Sequence, residues 1–128
     1  MKHFTKLLVM LAIPLVSAIT LASEVPFDQA QFAAVLAAGT PAVVAFHADW
    51  CPTCRTQAPL LKGLMLTPEL KSVTLFVANF DTEGALKKSL GVTKQSTVVV
   101  FKAGKESARS TGDTQRESLA GLLRHAIT

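Results

Sequence analysis

The chain has 128 residues, a length typical of one domain, and carries 13 basic against 9 acidic residues. Charged residues make up 17% of the chain and hydrophobic residues 49%, so the composition excludes an intrinsically disordered protein. Two cysteines form at most one intramolecular disulfide, which excludes a small scaffold held together by several such bonds.

The beginning of the chain has the pattern of a secretory signal peptide. A short start with two lysines precedes a mostly apolar run, Leu7–Leu21. This run is shorter than the roughly 20 apolar residues of a membrane-spanning helix, and small residues follow it. We therefore predict a signal peptide over residues 1–22, cleaved after Ala22 or alternatively after Ala18, and one domain over residues 23–128. Retention of the N-terminus as an anchor is the other interpretation.

Cleavage removes much of the positive charge. It takes away two lysines and no acidic residue, which leaves 11 basic and 9 acidic residues over 106 positions. This near balance argues against a nucleic-acid partner, because nucleic-acid-binding domains are usually strongly basic. We expect a soluble, monomeric mature protein outside the cytosol, in the periplasm if the host is Gram-negative.

Helical and strand patterns alternate through the first half of the domain. Asp28 is expected to cap a first helix that ends at Gly39. The short apolar run Ala42–Phe46 predicts a buried strand. A second helix is predicted over Cys51–Met65, and Thr67-Pro68-Glu69 suits a further helical turn because proline is favoured at the first helical position.

The alternation continues with a second strand and a short helix. Val73–Ala78 is the second predicted strand, and Asp81 or Thr82 is expected to cap a helix that ends near Leu90. The β-branched run Thr97–Phe101 is the third predicted strand.

The last part of the chain predicts an edge strand and a final helix. A turn at Lys102–Lys105 leads into a strand that ends at about Ser110. Thr114 and Glu117 have the spacing of a capping box at the start of the last helix. The whole order predicts an α/β fold in which helices cover both faces of a mixed central sheet.

A cysteine pair lies where the first predicted strand gives way to the second helix. Cys51 and Cys54 are three residues apart, so they are neighbours on a helix and can form a disulfide after small adjustments. The unpaired N–H groups at a helix N-terminus favour a thiolate there. We therefore expect Cys51 to be the exposed nucleophile and Cys54 the resolving thiol. Pro52 fixes the first helical turn.

The cysteines have two other interpretations, a structural disulfide and a zinc site. A purely structural disulfide is typical of exported proteins, but a loop this short gains little stability from being closed. A zinc site needs four ligands, and the mature chain adds only His47 and His125, which lie in unrelated segments. We expect neither a bound metal nor a cofactor, because a dithiol carries two electrons by itself.

From Glu24 to its C-terminus the chain resembles thioredoxin. The strongest part of the resemblance is Trp50-Cys51-Pro52-Thr53-Cys54 between a strand and a helix. Further matching segments are Ala48-Asp49, Arg55, Pro59, Ala78–Asp81, Gly91-Val92, Thr97–Phe101 and the Lys102–Lys105 turn. The resemblance implies a thioredoxin fold. Its Pro-Thr pair resembles exported thioredoxin-like reductases, which makes Thr53 a supporting residue, and Trp50 is expected to lie beside the cysteines and cover part of the substrate surface.

Three positions depart from the thioredoxin pattern. Ala45 replaces a buried aspartate that serves the resolving cysteine in the family. His47 replaces an aromatic residue and is expected either to assist the Cys51 thiolate or to pack beneath the motif. Ser96 replaces a cis-proline, so we expect a trans Gln95–Ser96 bond and a reshaped loop.

The resemblance also places the substrate-binding loop. It assigns this role to Gln95, Ser96 and Thr97, and the loss of the proline leaves capture of a metal or cluster as a side possibility. The function that we expect is an exported thiol–disulfide oxidoreductase that reduces the disulfides of exported proteins. A membrane electron-supplying thiol reductase is its expected partner. The alternatives are a dithiol oxidase that donates disulfides and a non-catalytic binding module.

Overall fold

The computed structural model describes residues 23–128 as one five-stranded sheet with helices on both faces. The predicted signal peptide, residues 1–22, lies outside the described residues. The elements in chain order are β1 (Ser23–Pro26), α1 (Gln29–Ala37), β2 (Ala42–His47), α2 (Pro52–Met65), β3 (Thr74–Asn79), α3 (Gly84–Leu90), β4 (Thr97–Lys102), β5 (Lys105–Thr111) and α4 (Arg116–Arg124). A single 3-10 turn, Pro68–Leu70, joins α2 to β3. The predicted α/β class with a mixed central sheet is confirmed.

The strands lie in the order β1-β3-β2-β4-β5. β3 pairs in parallel with both β1 and β2, whereas β4 runs antiparallel to β2 and to β5. The central strand β2 is therefore covered by a neighbour on each side, which explains its continuous apolar run. The cysteine pair follows β2 directly, because β2 ends at His47 and α2 begins at Pro52.

The two faces of the sheet bury separate hydrophobic clusters. Alternate residues of each strand point to opposite faces, so β2 contributes Val43 and Ala45 to one cluster and Val44 and Phe46 to the other. Leucines of α2 and α4 complete the first cluster. On the second face, three phenylalanine rings from α1, β3 and β4 pack edge to face with centroids 5.3–5.4 Å apart. These three are Phe32, Phe76 and Phe101.

Most predicted elements are confirmed within a residue or two, and the differences lie at element ends. The structure adds β1, a four-residue strand whose glutamate and proline give little strand signal. Asp28 caps α1 as predicted, since its Oδ1 accepts a hydrogen bond from the backbone N–H of Gln31 at 2.7 Å.

Two predicted caps are wrong. α3 begins at Gly84 after Glu83, and no side chain in the described part of the chain caps it. Asp81 and Thr82 belong to the turn before the helix, where Asn79 Oδ1 accepts the backbone N–H of both residues.

At the last helix the capping box does not form. The capping position falls on Gln115, not on Thr114, and no side chain of residues 23–128 caps the helix. The carboxylate of Asp113 accepts the backbone N–H of Gln115 at 2.9 Å and also binds the hydroxyl of Ser118. Asp113 therefore holds the turn before the helix through a local side-chain-to-backbone bond that competes with the capping box.

Candidate active site: a buried dithiol against the Ser96 loop

Cys51 is the residue that caps α2. Its backbone is extended, and its Sγ accepts a hydrogen bond from the backbone N–H of Cys54 at 3.1 Å. This is the bond that an oxygen of Ser, Thr, Asp or Asn usually accepts at a helix N-terminus. Pro52 follows at the first helical position, where no N–H is needed. The sulfur that the sequence identified as the nucleophile therefore lies at the positive end of the helix dipole.

Both cysteines are free thiols, and both are buried. Cys51 is 2% exposed and Cys54 is 1% exposed, and they pack with Ala48 and the partly buried ring of Phe80. The expectation that Cys51 is exposed is therefore wrong. Capping draws Sγ back over the first turn of α2 instead of leaving it in solvent. Cys54, one turn further along, lies inside as predicted.

Ser96 brings a hydroxyl group to both sulfurs. Its Oγ lies 2.8 Å from Cys54 Sγ and 3.5 Å from Cys51 Sγ. Ser96 is 1% exposed and has a φ of 61°, a left-handed conformation that costs a residue with a Cβ about 1–3 kcal/mol. Residues 23–128 contain no cis peptide bond, so the predicted trans Gln95–Ser96 bond is confirmed.

Hydrogen bonds hold the Ser96 backbone in this conformation. Its N–H donates to the carbonyl of Phe46 at 2.9 Å, and its carbonyl accepts the N–H of Gly112 at 3.0 Å. The same carbonyl also accepts a hydrogen bond from Gln57 Nε2 at 3.2 Å. The loop is thus fastened to β2, to α2 and to the chain after β5.

Gln57 is a site residue that the sequence reasoning missed. It is 3% exposed, and its Nε2 also donates to the carbonyl of Asp113 at 2.9 Å. Gln57 stands three residues after Cys54 and four before Leu61, so it shares the buried stripe of α2. A polar residue on that stripe was the signal that could have identified it.

The surroundings shift the pKa values of the two thiols in opposite directions. Burial alone would raise the pKa of Cys51, but hydrogen bonds from Cys54, Ser96 and the backbone outweigh burial and lower this pKa. Burial raises the pKa of Cys54, and its hydrogen bond with Cys51 and the negative charge of Cys51 raise it further. The arrangement therefore favours a thiolate at Cys51 and a protonated thiol at Cys54.

Trp50 lies on the surface beside the cysteines. It is 57% exposed, and its Nε1 donates to Asp81 Oδ2 at 2.8 Å. Trp50 and Asp81 line an open groove together with Asp49 and His47 at the end of β2. The structure therefore places Trp50 next to the motif, with its ring available to a partner.

The remaining predicted residues differ in exposure. Thr53 and Gln95 are half-buried, and Pro52 is exposed. Thr97 is buried, and its hydroxyl bonds the carbonyl of Lys94 and the hydroxyl of Thr111. The side chains of Ser96 and Thr97 thus point inward, so a substrate would meet this loop through its backbone or through Gln95. Substrate binding by the loop stays a prediction.

The thioredoxin family profile matches residues 23–125. The chain belongs to the thioredoxin family. A thioredoxin of Chlamydia muridarum is 35% identical over 96 residues, which cover 75% of this chain and 91% of that protein. Among solved structures, Trxlp from Edwardsiella tarda EIB202 is 36% identical with a TM-score of 0.77 and covers 79% of this chain and 98% of that chain. A Malassezia sympodialis thioredoxin, 23% identical with a TM-score of 0.72 over 84% of this chain and 93% of that chain, shares the fold.

The thioredoxin fold predicted from the sequence is therefore confirmed, and the family gives the cysteine pair its chemistry. Two thiols that face each other at a helix N-terminus carry two electrons, which they give up when they form a disulfide. Membership of the thioredoxin family together with this pair implies thiol–disulfide oxidoreductase activity.

Ala45, one of the positions that depart from the thioredoxin pattern, lines a cavity beside the site. The cavity has a volume of about 110 Å³ and lies between β2, β3 and α2. Val77 and Leu61 line it with Ala45, while Glu24 and Gln57 contribute polar atoms. Within residues 23–128, no carboxylate makes a hydrogen bond with Cys54.

His47 belongs to the same side of the sheet as Ala45. It is half-buried, lines the same cavity and pairs through Nε2 with Asp49 Oδ1 at 2.9 Å. Among the described residues, neither sulfur is a hydrogen-bond partner of His47. The geometry therefore favours packing beneath the motif over direct assistance to the Cys51 thiolate.

The structure also bears on the metal interpretations of the dithiol. Nowhere in the described part of the chain are three or more His, Cys, Asp or Glu side chains grouped so that they could hold a metal ion.

No helix between residues 23 and 128 is long and apolar enough to span a membrane.

Proposed function

We propose that this protein is an exported reductase of protein disulfides that uses Cys51 and Cys54 as a two-electron dithiol. The observation that carries the proposal is the different setting of the two sulfurs. Cys51 accepts the helix N–H bond and has a lowered pKa, whereas Cys54 lies deeper and has a raised pKa. A reaction that needs first one nucleophile and then the other matches this asymmetry.

In the first step the Cys51 thiolate attacks one sulfur of a substrate disulfide. A bond forms between Cys51 Sγ and that sulfur, the substrate S–S bond breaks, and the other substrate sulfur leaves as a thiolate. Only 2% of Cys51 is exposed, and its two chain neighbours, Trp50 and Pro52, are exposed. The substrate therefore approaches at the N-terminal end of α2, beside these two residues.

In the second step Cys54 loses its proton to solvent and attacks Cys51 Sγ. The Cys51–Cys54 disulfide forms, and the second substrate sulfur departs as a thiolate. The substrate has gained two electrons and the enzyme has lost two. A thiol reductase that brings electrons across the membrane is the partner we propose for returning the enzyme to its dithiol form.

The reduction potential of the Cys51–Cys54 pair tests the proposal. Equilibration of the protein against glutathione buffers is expected to give about −270 mV, the potential of a reducing thioredoxin. A value near about −120 mV, that of a strong oxidant, would reverse the direction and make the protein a disulfide donor. The lowered pKa of Cys51 favours the second outcome, because a stabilised thiolate shifts the reduction potential upward. The measured potential therefore decides between the two directions.

A matched pair of variants separates catalysis from binding. Cys51→Ser is expected to abolish reduction of a disulfide-containing protein, while Ser110→Ala, a change in β5 at a hydroxyl without a hydrogen-bond partner in residues 23–128, is expected to leave it intact. If the Cys51→Ser protein keeps full biological activity in cells, the non-catalytic binding module becomes the better explanation.

Export is the second part of the proposal, and it is supported by the pattern of the first 22 residues. Cleavage after Ala22 would leave the described strand β1, Ser23–Pro26, in the mature chain, where it pairs with β3. The full-length chain, produced in a Gram-negative host, is expected in the periplasm with Ser23 at its N-terminus. Intact-mass measurement of the periplasmic fraction tests this, and a cytoplasmic protein that retains residues 1–22 would contradict it.

A further inference from the structure

The hydroxyl of Ser96 is the only side-chain oxygen bonded to the two sulfurs within residues 23–128. It lies 2.8 Å from Cys54 Sγ and 3.5 Å from Cys51 Sγ. Two backbone groups also approach Cys54. The carbonyl of Phe46 lies 4.0 Å from Cys54 Sγ and can only accept a hydrogen bond, so it cannot stabilise a thiolate there. A hydrogen bond from the backbone of Ala48 lowers the pKa of Cys54, and Ser96 is the side chain that adds to it.

The oxygen of this hydroxyl is fixed while its hydrogen is free to turn. The Ser96 backbone is held by the carbonyl of Phe46, the N–H of Gly112 and the amide of Gln57. A serine hydroxyl carries one donor hydrogen, which rotates about the C–O bond to face one acceptor or another. Since both sulfurs are within reach of the same Oγ, rotation of one hydrogen is enough to redirect the bond from Cys51 to Cys54.

We propose that Ser96 is a catalytic residue whose hydroxyl donates its hydrogen bond to Cys51 in the resting enzyme and to Cys54 in the second step. This inference rests on the proposed two-step dithiol reaction. Once Cys51 is bonded to substrate it carries no charge, and the hydroxyl hydrogen turns to Cys54. The Cys54 proton passes to solvent, the Ser96 hydroxyl keeps its own proton, and the thiolate attacks.

The electrostatics of the resting site agree with this role. The hydrogen bond from Ser96 lowers the pKa of each cysteine, whereas the hydrogen bond and charge of Cys51 raise the pKa of Cys54. When Cys51 forms a mixed disulfide, its negative charge disappears and no longer raises the pKa of Cys54. The hydrogen bond from Ser96 still lowers this pKa. His47 and Asp49, at the end of β2, are bonded to each other and not to either sulfur.

The test follows the mixed disulfide directly. Reduced protein is mixed with oxidised glutathione and quenched with acid at intervals, and mass spectrometry counts the protein–glutathione adduct. In Ser96→Ala the adduct is expected to accumulate and to resolve about tenfold more slowly than in the wild type, the effect of losing one hydrogen bond to a charged group. The pH at which resolution reaches half its maximal rate is expected to rise.

Two further variants keep the test specific to the hydroxyl. Ser96→Gly also lacks the hydroxyl but relaxes the positive φ of 61°, so it stays folded even if alanine is strained there. It is expected to resolve as slowly as Ser96→Ala. Ser110→Ala makes the same chemical change in β5, where the serine Oγ has no hydrogen-bond partner within residues 23–128, and it is expected to match the wild type.

Three outcomes overturn the inference. Resolution at the wild-type rate in both Ser96 variants would show that the hydroxyl does not act on Cys54. A slow Ser96→Ala beside a normal Ser96→Gly would assign the effect to backbone strain. Failure of the proposed function looks different, because the wild-type protein would then neither form the adduct nor convert oxidised glutathione to the reduced form, and the role of Ser96 would fall with it.

Discussion

The two sides of the Cys51–Cys54 pair differ in how firmly they are held. On one side Ser96 and Gln57 are buried, and hydrogen bonds tie them to β2, α2 and the chain after β5. On the other side Trp50 is 57% exposed, and one hydrogen bond joins it to Asp81. Ser96, on the fixed side, makes hydrogen bonds with both sulfurs and lowers the pKa of each, whereas the open side exposes an aromatic ring to solvent.

The difference between the fixed side and the open side has a physical basis. A hydrogen bond to a thiolate is effective only if its donor is already in place, because a donor that must reorganise costs free energy during the reaction. A surface that accepts different protein substrates gains from exposed aromatic area and from few fixed polar contacts. Changes on the fixed side should therefore alter the chemistry or the stability, and changes on the open side should alter mainly recognition.

Removal of the second thiol should have the largest effect. Cys54→Ser keeps the volume of a buried side chain and leaves Cys51 able to attack, but nothing can then release the mixed disulfide. We expect turnover to stop and the covalent adduct with a disulfide-bearing substrate to persist on non-reducing gels. A Cys54→Ser protein that still turned over would show that the resolving thiol is not Cys54.

Gln57 offers the next largest effect, which should appear in stability. Gln57→Ala removes the donor to the carbonyls of Ser96 and Asp113. The Ser96 carbonyl keeps its hydrogen bond from Gly112, whereas the part-buried carbonyl of Asp113 loses the donor that Gln57 supplied, which costs about 1–3 kcal/mol. Urea unfolding should show a free energy of unfolding lower by that amount. The adjacent Thr56→Ala, on the exposed side of α2, is the matched control and should change stability by no more than about 0.5 kcal/mol. Equal midpoints for both variants would contradict the anchoring role of Gln57.

The Gln57 and Ser96 contacts also show where sequence reasoning ends. The order of elements from α1 to α4, the buried strands and the position of the cysteine pair follow from local patterns, because hydrophobic periodicity and the Trp-Cys-Pro-Thr-Cys segment lie in single stretches of chain. The hydrogen bond between Ser96 and Cys54, by contrast, joins residues that are 42 positions apart in the sequence. The sequence identified Ser96 as unusual only through the missing proline, and the approach of its hydroxyl to both sulfurs depends on a left-handed φ that no propensity predicts for serine.

The burial of Cys51 could not be predicted for a similar reason. A cysteine at a helix N-terminus is expected to be exposed if it behaves as a reactive surface thiol, and it is buried if its sulfur replaces the usual oxygen cap. The choice depends on the packing of Ala48 and Phe80 around it, and Phe80 comes from the far end of β3. The short strand β1 was missed because its stability comes from pairing with β3 and not from its own residues.

The pH dependence of stability gives a smaller effect that belongs to the fixed side. The pKa of Cys51 is lower in the folded protein than in the unfolded chain, where it is about 8.5. Between these two pKa values the unfolded state binds the extra proton, so the thiolate stabilises the reduced protein increasingly as pH rises and fully above about 8.5. The stability difference between the wild type and Cys51→Ser, measured by urea unfolding under reducing conditions, should grow with pH over this interval. A difference that stays constant with pH would contradict the lowered pKa.

Trp50→Phe should have the smallest effect, and it tests the open side. The change keeps an aromatic ring, although a smaller one, and removes the N–H that donates to Asp81, a bond at an exposed site that contributes about 0.5–1 kcal/mol. Because Trp50 makes no hydrogen bond with Ser96 or with either sulfur, the pH profile of Cys51 alkylation should match that of the wild type. Trp50→Ala, which also removes the ring, should raise the KM for a disulfide-containing protein while leaving the reaction with glutathione unchanged. A shifted alkylation profile in Trp50→Phe would mean that the open side also sets the protonation of the sulfurs, and the distinction between the two sides would no longer hold.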